Sequence, residues 1–249
     1  MVCLHGFTDT WRTWELVLPA LQHRHAVLAP TLAGHRGGPP LPVASDDALT
    51  DAAEAAMDAA GIETAHLVGN SLGGYLALRL AARGRAASVV ALAPGGGWPA
   101  DDLALRQRIA RQFMLSQNLV ATAAPFATSI AATREGRRRA TELICVNFDH
   151  IPQELIAHQI VGAAGCTGAR PLVSYWLESG WGLDAERIEC PVRIVWGAAD
   201  RVLPWPTAAE RYRTEWLPHA DWVVLDRVGH SPQLDVPTET AQLILGFTA

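Results

Sequence analysis

Three features of this chain of 249 residues predict an α/β fold, with a mainly parallel sheet and helices on both faces. Short apolar runs alternate with helical patterns at both ends of the sequence. A glycine-rich turn at 69–74 stands between an apolar run and a helical pattern. The stretch 97–189 interrupts the alternation with helical patterns alone.

The runs that read as strands are residues 2–4, 26–29, 66–68, 88–93, 192–196 and 222–225. Between the first of them, Trp11, Trp14, Leu18 and Leu21 recur at helical spacing, as do Leu49, Ala53, Ala56, Met57 and Ala60, with Gly61 as a stop signal. A third helix is expected from Ser71 to about Arg83, with Leu72, Tyr75, Leu76 and Leu80 facing the sheet, and a last one over 237–247. This divides the chain into a core formed by 1–96 and 190–249 and an inserted helical cap at 97–189.

The composition narrows the function. Apolar residues make up 49% and charged ones 18%, which suits a compact globule and excludes a disordered chain. The net charge of -5 gives no basic field to hold a phosphate backbone, and the cluster Arg137, Arg138 and Arg139 is too short to create one, so nucleic acid is not expected as a partner. Cys3, Cys145, Cys166 and Cys190 lack metal-ligand spacing, which favours reduced thiols over a zinc site or a disulfide scaffold. No run approaches the roughly 18 apolar residues of a membrane span, and the first residues read as a strand rather than as a leader, so a cytoplasmic protein without metal or cofactor is expected.

Gly69-Asn70-Ser71-Leu72-Gly73-Gly74 follows an apolar strand and opens a helix. A serine serves as a nucleophile when a tight strand-to-helix turn holds its hydroxyl clear of the sheet; glycines on either side relieve the crowding that such a turn creates. Neither G-x-G-x-x-G nor a Walker Gly-Lys-Ser appears, so a nucleotide-binding turn does not fit. A base is then required, and His230 lies just beyond the last apolar strand, where a loop can carry its imidazole over Ser71. The imidazole needs an orienting carboxylate, and Asp200 follows the strand at 192–196. Asp226 also ends a strand but shares the loop of His230, with little room to reach around the ring. Negative charge developing on an attacked carbonyl requires two backbone N–H donors; Leu72 at the helix start supplies one, and Phe7, in the turn after the first strand, the other. His5 fits as a support for that turn.

With these residues in place, the chain resembles the capped, lipase and esterase-like branch of the α/β-hydrolases. The resemblance rests on the H-G-F loop at 5–7, the G-N-S-L-G-G elbow, the G-x-x-D-x-x-x-P segment at 197–204 and the G-H-S-P segment at 229–232, and it covers nearly the whole chain. It implies an α/β-hydrolase fold with Ser71 as nucleophile, Asp200 as acid and His230 as base, in the chain order of that family. Members carry two further strands before the H-G loop, so the N-terminal strands are expected to be shortened or missing, or the native start to lie upstream. Thr31 stands where an aspartate is common in the family's D-x-P-G-H turn.

The resemblance implies a carboxylesterase-like activity on a small-molecule ester and water through an acyl-enzyme. Carbon–carbon bond hydrolysis, lactone hydrolysis and cofactor-free perhydrolysis use the same triad, and a small-molecule receptor is the alternative outside catalysis. The serine argues against the family's dehalogenases and epoxide hydrolases, which form their ester on an aspartate. Trp98, Phe126, Trp176 and Trp181 are the expected pocket residues, with Phe113, Met114 and Tyr175 as further candidates.

Overall fold

The computed structural model describes residues 1–248. Its sheet is formed by β1 (Val2–Leu4), β2 (Ala65–Asn70), β3 (Ala86–Leu92), β4 (Val192–Gly197) and β5 (Asp221–Leu225), all parallel and in the order β1-β2-β3-β4-β5. This is the parallel sheet with helices on both faces that the sequence predicts. The expected strand at 26–29 contracts to one parallel bridge, Val2 to Leu28, held by Cys3 N–H on Leu28 O and Leu28 N–H on Met1 O. Two residues later Pro30 has no N–H to continue a ladder, and β1 offers only three residues to pair with.

Parallel strands bury both faces, and their period of two divides their side chains between two cores. Leu4, Leu67, Val89, Ala91, Ile194 and Trp196 point to one side. Cys3, Val68, Val90, Leu92, Val195 and Leu225 point to the other. The first core is covered by α2 (Asp46–Ala59) and α3 (Leu72–Ala82) through Leu49, Met57, Leu76 and Leu80. The second is covered by α1 (Leu18–Gln22) and, from the C-terminal end, α10 (Pro237–Leu245), through Leu21, Ala241 and Ile244. The expected first helix is split: Trp11–Trp14 forms a 3-10 turn capped by Thr10, and α1 begins at Leu18 with Pro19 in its first turn.

From β1 the chain crosses one face to the Leu28 bridge and returns across the other to β2. The loops that leave the carboxyl ends of β1 and β2 therefore diverge, and a crevice opens there, where open α/β sheets bind ligands.

Between β3 and β4 the chain forms α4 (Leu103–Ala123), α5 (Ala127–Ala132), α6 (Arg134–Thr141), α7 (Gln153–Ala164) and α8 (Ala169–Ser179), with no strand among the described residues. A short α9 (Pro232–Asp235) precedes α10. Among the described residues, no helix is long and apolar enough to cross a membrane.

Candidate active site

Strand β2 passes into α3 with a single residue between them, Ser71, at φ 54° and ψ −116°. Positive φ is strained for a residue with a side chain and persists only where the surroundings hold it. Here Ser71 N–H donates to Leu92 O at 2.8 Å, and Ser71 O accepts from Gly95 N–H at 3.1 Å, so the turn is pinned to the end of β3. A Cβ on Gly69 would stand 2.1 Å from Gly73 O, and one on Gly73 would stand 2.0 Å from Leu4 O. Both contacts are with backbone, which cannot move aside. Gly73→Ala is therefore expected to destabilise the fold by about 3 kcal/mol, read as a lower midpoint in urea unfolding. An unchanged midpoint would show that the turn tolerates a side chain.

His230 and Asp200 lie together: His230 Nδ1 is 2.7 Å from Asp200 Oδ2, and both residues are buried. The other carboxylate oxygen, Oδ1, accepts the backbone N–H groups of Val202 and Leu203, each at 2.8 Å. Asp226 instead stands in solvent with Arg227. Asn70, beside Ser71, donates from Nδ2 to Leu92 O at 3.1 Å and to His230 O at 3.0 Å, which ties the serine turn to the histidine loop. That loop has a second anchor. Asp235 accepts Gly229 N–H, Val146 N–H and the backbone and side-chain N–H groups of Asn147. Among the described residues no hydrogen bond joins the Ser71 hydroxyl to His230.

The turn after β1 is built on His5. Its Nε2 accepts Leu32 N–H at 2.9 Å, which leaves Nδ1 as the protonated nitrogen that donates to Gly6 O at 2.8 Å. Burial holds the His5 imidazole well below the usual histidine range, and the neighbouring His35, 4.9 Å away ring to ring, acts in the same direction. Burial lowers His35 to about 4. A histidine lowered in this way stabilises the fold in its neutral form, and that contribution is lost as pH falls from the ordinary 6.5 toward about 4. Nitrogen-15 spectra of the histidine rings are expected to show His35 neutral at pH 5.5; a protonated ring there would contradict its burial.

Above the turn lies a cavity of about 540 Å³, its solvent-facing mouth included. Ser71 and Leu72 contribute to its lining together with Phe7, and Trp98, Phe113, Trp176 and Trp181 form an aromatic wall. Trp176 and Trp181 stack at 4.6 Å, and Phe7 meets Trp176 edge-on at 5.1 Å. Phe126, expected in the pocket, is instead 62% exposed on the surface, because the 3-10 turn at Ala124–Phe126 directs it away from the body of the protein. Met114 and Tyr175 pack half-buried against the core and not along the cavity. Arg106, Ile109, Ala110 and Phe113 lie on one face of α4 along the cavity. Their spacing of three, one and three residues is the signal that identifies Arg106 as a wall residue.

A parallel sheet with a strained serine turn at the end of its second strand, opening into an apolar cavity, defines an α/β hydrolase. The chain belongs to the alpha/beta hydrolase family, whose model matches residues 1–243. It is 33% identical over 204 residues to the epoxide hydrolase EphH of Mycobacterium tuberculosis (strain ATCC 25618 / H37Rv), covering 82% of this chain and 94% of that one. It is 28% identical over 217 residues to a 2-hydroxy-6-oxononadienedioate/2-hydroxy-6-oxononatrienedioate hydrolase of a Pseudomonas species, covering 82% of this chain and 70% of the relative. Among solved structures, the fold is similar to a serine hydrolase involved in carbazole degradation (TM-score 0.73, 19% identity, 99% of this chain and 89% of that one). It is also similar to a thermophilic esterase from Thermogutta terrifontis (TM-score 0.69, 22% identity, 98% and 87%). At these identities the two structures share a fold with this chain and nothing finer.

Proposed function

We propose that this hydrolase cleaves carboxylic esters of small to medium apolar acids through an acyl-enzyme on Ser71. The observation that carries this reading is the strained Ser71 turn at the cavity, linked by Asn70 to the loop of a histidine whose Nδ1 faces a buried carboxylate. Asp200 fixes the His230 tautomer, so that Nε2 carries the lone pair. His230 takes the Ser71 proton as the oxygen attacks the carbonyl, and the N–H groups of Phe7 and Leu72 receive the developing oxyanion, each worth about 3 kcal/mol. The proton passes to the departing alcohol. Water, deprotonated by His230, then releases the acid and restores the serine.

The nucleophile also bears on the epoxide hydrolase relative. A carboxylate that opens an epoxide forms an ester, which water can cleave; a serine would form an ether, which has no carbonyl for water to attack. Ser71 therefore favours acyl chemistry. The helices over 97–189 act as a lid in this reading, since Trp98, Arg106, Phe113, Trp176 and Trp181 all come from that stretch and bound the acyl group.

One observation favours a second reading, carbon–carbon bond hydrolysis of an acidic substrate. Arg106 is the single charged side chain on the cavity wall, and among the described residues it has no acidic partner; its guanidinium donates to Trp176 O and Leu177 O at the end of α8. Hydrolysis of p-nitrophenyl esters of increasing acyl length, followed against a 2-hydroxy-6-oxo dienoate, separates the two. Turnover of short and medium esters that exceeds dienoate turnover is expected; the reverse order would replace the ester reading by the second one.

A further inference from the structure

Away from the serine, a second buried polar cluster joins the core helices to the cavity wall. Asp46, the first residue of α2 after its Ser45 cap, is 5% exposed. Its Oδ1 accepts the indole N–H of Trp176 at 2.7 Å, and its Oδ2 lies 2.7 Å from the Tyr75 hydroxyl on α3. That hydroxyl also lies 2.6 Å from Gly182 O, between the Trp181 residue of the wall and β4.

Counting hydrogens decides the protonation state. Two oxygen–oxygen contacts this short each need a hydrogen between them, and a tyrosine has one to give. Gly182 O is a carbonyl and can only accept. If the Tyr75 hydrogen goes to Gly182 O, the hydrogen toward Asp46 must be carried by Asp46 Oδ2. If it went to an ionised Asp46, the Tyr75 and Gly182 oxygens would face each other at 2.6 Å with nothing between them. Arg79 does not fill the gap. Its NH1 approaches Tyr75 Oη at 3.2 Å and Gly182 O at 3.4 Å, both as a donor to those atoms.

We propose that Asp46 is a positioning residue for the acyl pocket, which as a neutral carboxylic acid fixes the Trp176 indole and, through Tyr75, the Gly182 carbonyl next to Trp181. The inference rests on the ester reading of the Ser71 site, because the stacked tryptophans it fixes form the wall on which an acyl chain would lie. The groups around the carboxyl are Asp47 on its own helix, Tyr75 and Arg79 on α3 and Trp176 on α8, with Tyr212 beyond them. Burial raises the Asp46 carboxyl above the ordinary 3.8, against the lowering effects of the Trp176 and Tyr75 hydrogen bonds and the Arg79 charge. A carboxyl raised in this way contributes most in its neutral form, at low pH. The contribution is lost as pH rises through the folded-state value. Ionisation leaves Tyr75 able to serve Asp46 or Gly182 but not both, and the wall loosens.

The test uses an isosteric amide. In Asp46→Asn the amide oxygen accepts from Trp176 and the amide nitrogen donates to Tyr75, which reproduces the neutral acid bond for bond; Asp46→Ala removes both. The probes are p-nitrophenyl acetate and p-nitrophenyl hexanoate. The expected result is that Asp46→Asn keeps the wild-type hexanoate-to-acetate ratio of kcat/KM within about twofold and makes it independent of pH, while Asp46→Ala lowers that ratio about tenfold, mostly through KM for the hexanoate. An Asn variant that behaves like Ala would show that the ionised carboxylate is required, and an Ala variant with the wild-type ratio would show that Trp176 is held without Asp46. Either overturns the proposal. The infrared difference spectrum, wild type minus Asp46→Asn, reads the proton without any turnover: a carboxylic-acid carbonyl band at neutral pH is expected, and carboxylate bands alone would overturn the proposal even if the Ala variant does not fold. If wild type hydrolyses neither ester, the reading of Ser71 fails, and the infrared bands decide the state of Asp46 separately.

Discussion

Ser71→Ala is expected to lower turnover of a preferred p-nitrophenyl ester by about 10⁶-fold, to the residual rate that donors and binding provide without a nucleophile. The effect belongs to chemistry and not to folding. Among the described residues the Ser71 hydroxyl makes no hydrogen bond, and alanine keeps the Cβ that the turn already accommodates at φ 54°. The midpoint of urea unfolding should therefore move little. A fluorophosphonate, which traps an activated serine, is expected to label wild type at Ser71 and to leave the variant unlabelled. Equal turnover by both proteins would remove Ser71 from the mechanism. Labelling at another residue would move the nucleophile to that position.

The parts of this molecule that are legible in its sequence are those fixed by short-range geometry. Gly69 and Gly73 are required because the turn brings backbone within 2.1 Å and 2.0 Å of where their Cβ atoms would be, and that requirement is visible as a spacing of two glycines around a serine. The alternating strand side chains are legible for the same reason, since a parallel strand buries both of its faces. The 26–29 run misleads because its composition suits a strand, while pairing depends on the three residues that β1 offers and on Pro30, which has no N–H to continue the ladder.

The cavity wall is less legible because it depends on how helices far apart in the sequence are rotated against one another. Phe126 and Trp176 are both aromatic residues in the same helical stretch. What separates them is that the Trp176 indole N–H reaches Asp46, 130 residues away, whereas Phe126 ends a 3-10 turn on the surface. Asp46 is the first residue of α2, a position where acidic residues are favoured whatever they touch, so its sequence context carries no signal of burial. Its function as a partner for Tyr75 and Trp176 arises only when α2, α3 and α8 are packed together.

Asp200→Asn is expected to lower kcat by about 10⁴-fold while leaving the fold nearly intact, and the geometry gives the reason. Asp200 Oδ1 already accepts two backbone N–H groups, from Val202 and Leu203. In the amide, the oxygen must keep that position, because an NH2 group there would face two donors. The NH2 then replaces Oδ2, opposite His230 Nδ1, where the carboxylate now stands at 2.7 Å. An N–H donor in that place requires Nδ1 to be the acceptor, which moves the ring proton to Nε2 and leaves no lone pair for the Ser71 proton. The loss should appear in kcat and much less in KM, since Asp200 does not line the cavity. Nitrogen-15 spectra of the His230 ring should show the tautomer reversed relative to wild type. A variant with the wild-type tautomer and a wild-type kcat would show that Asp200 is not the orienting acid.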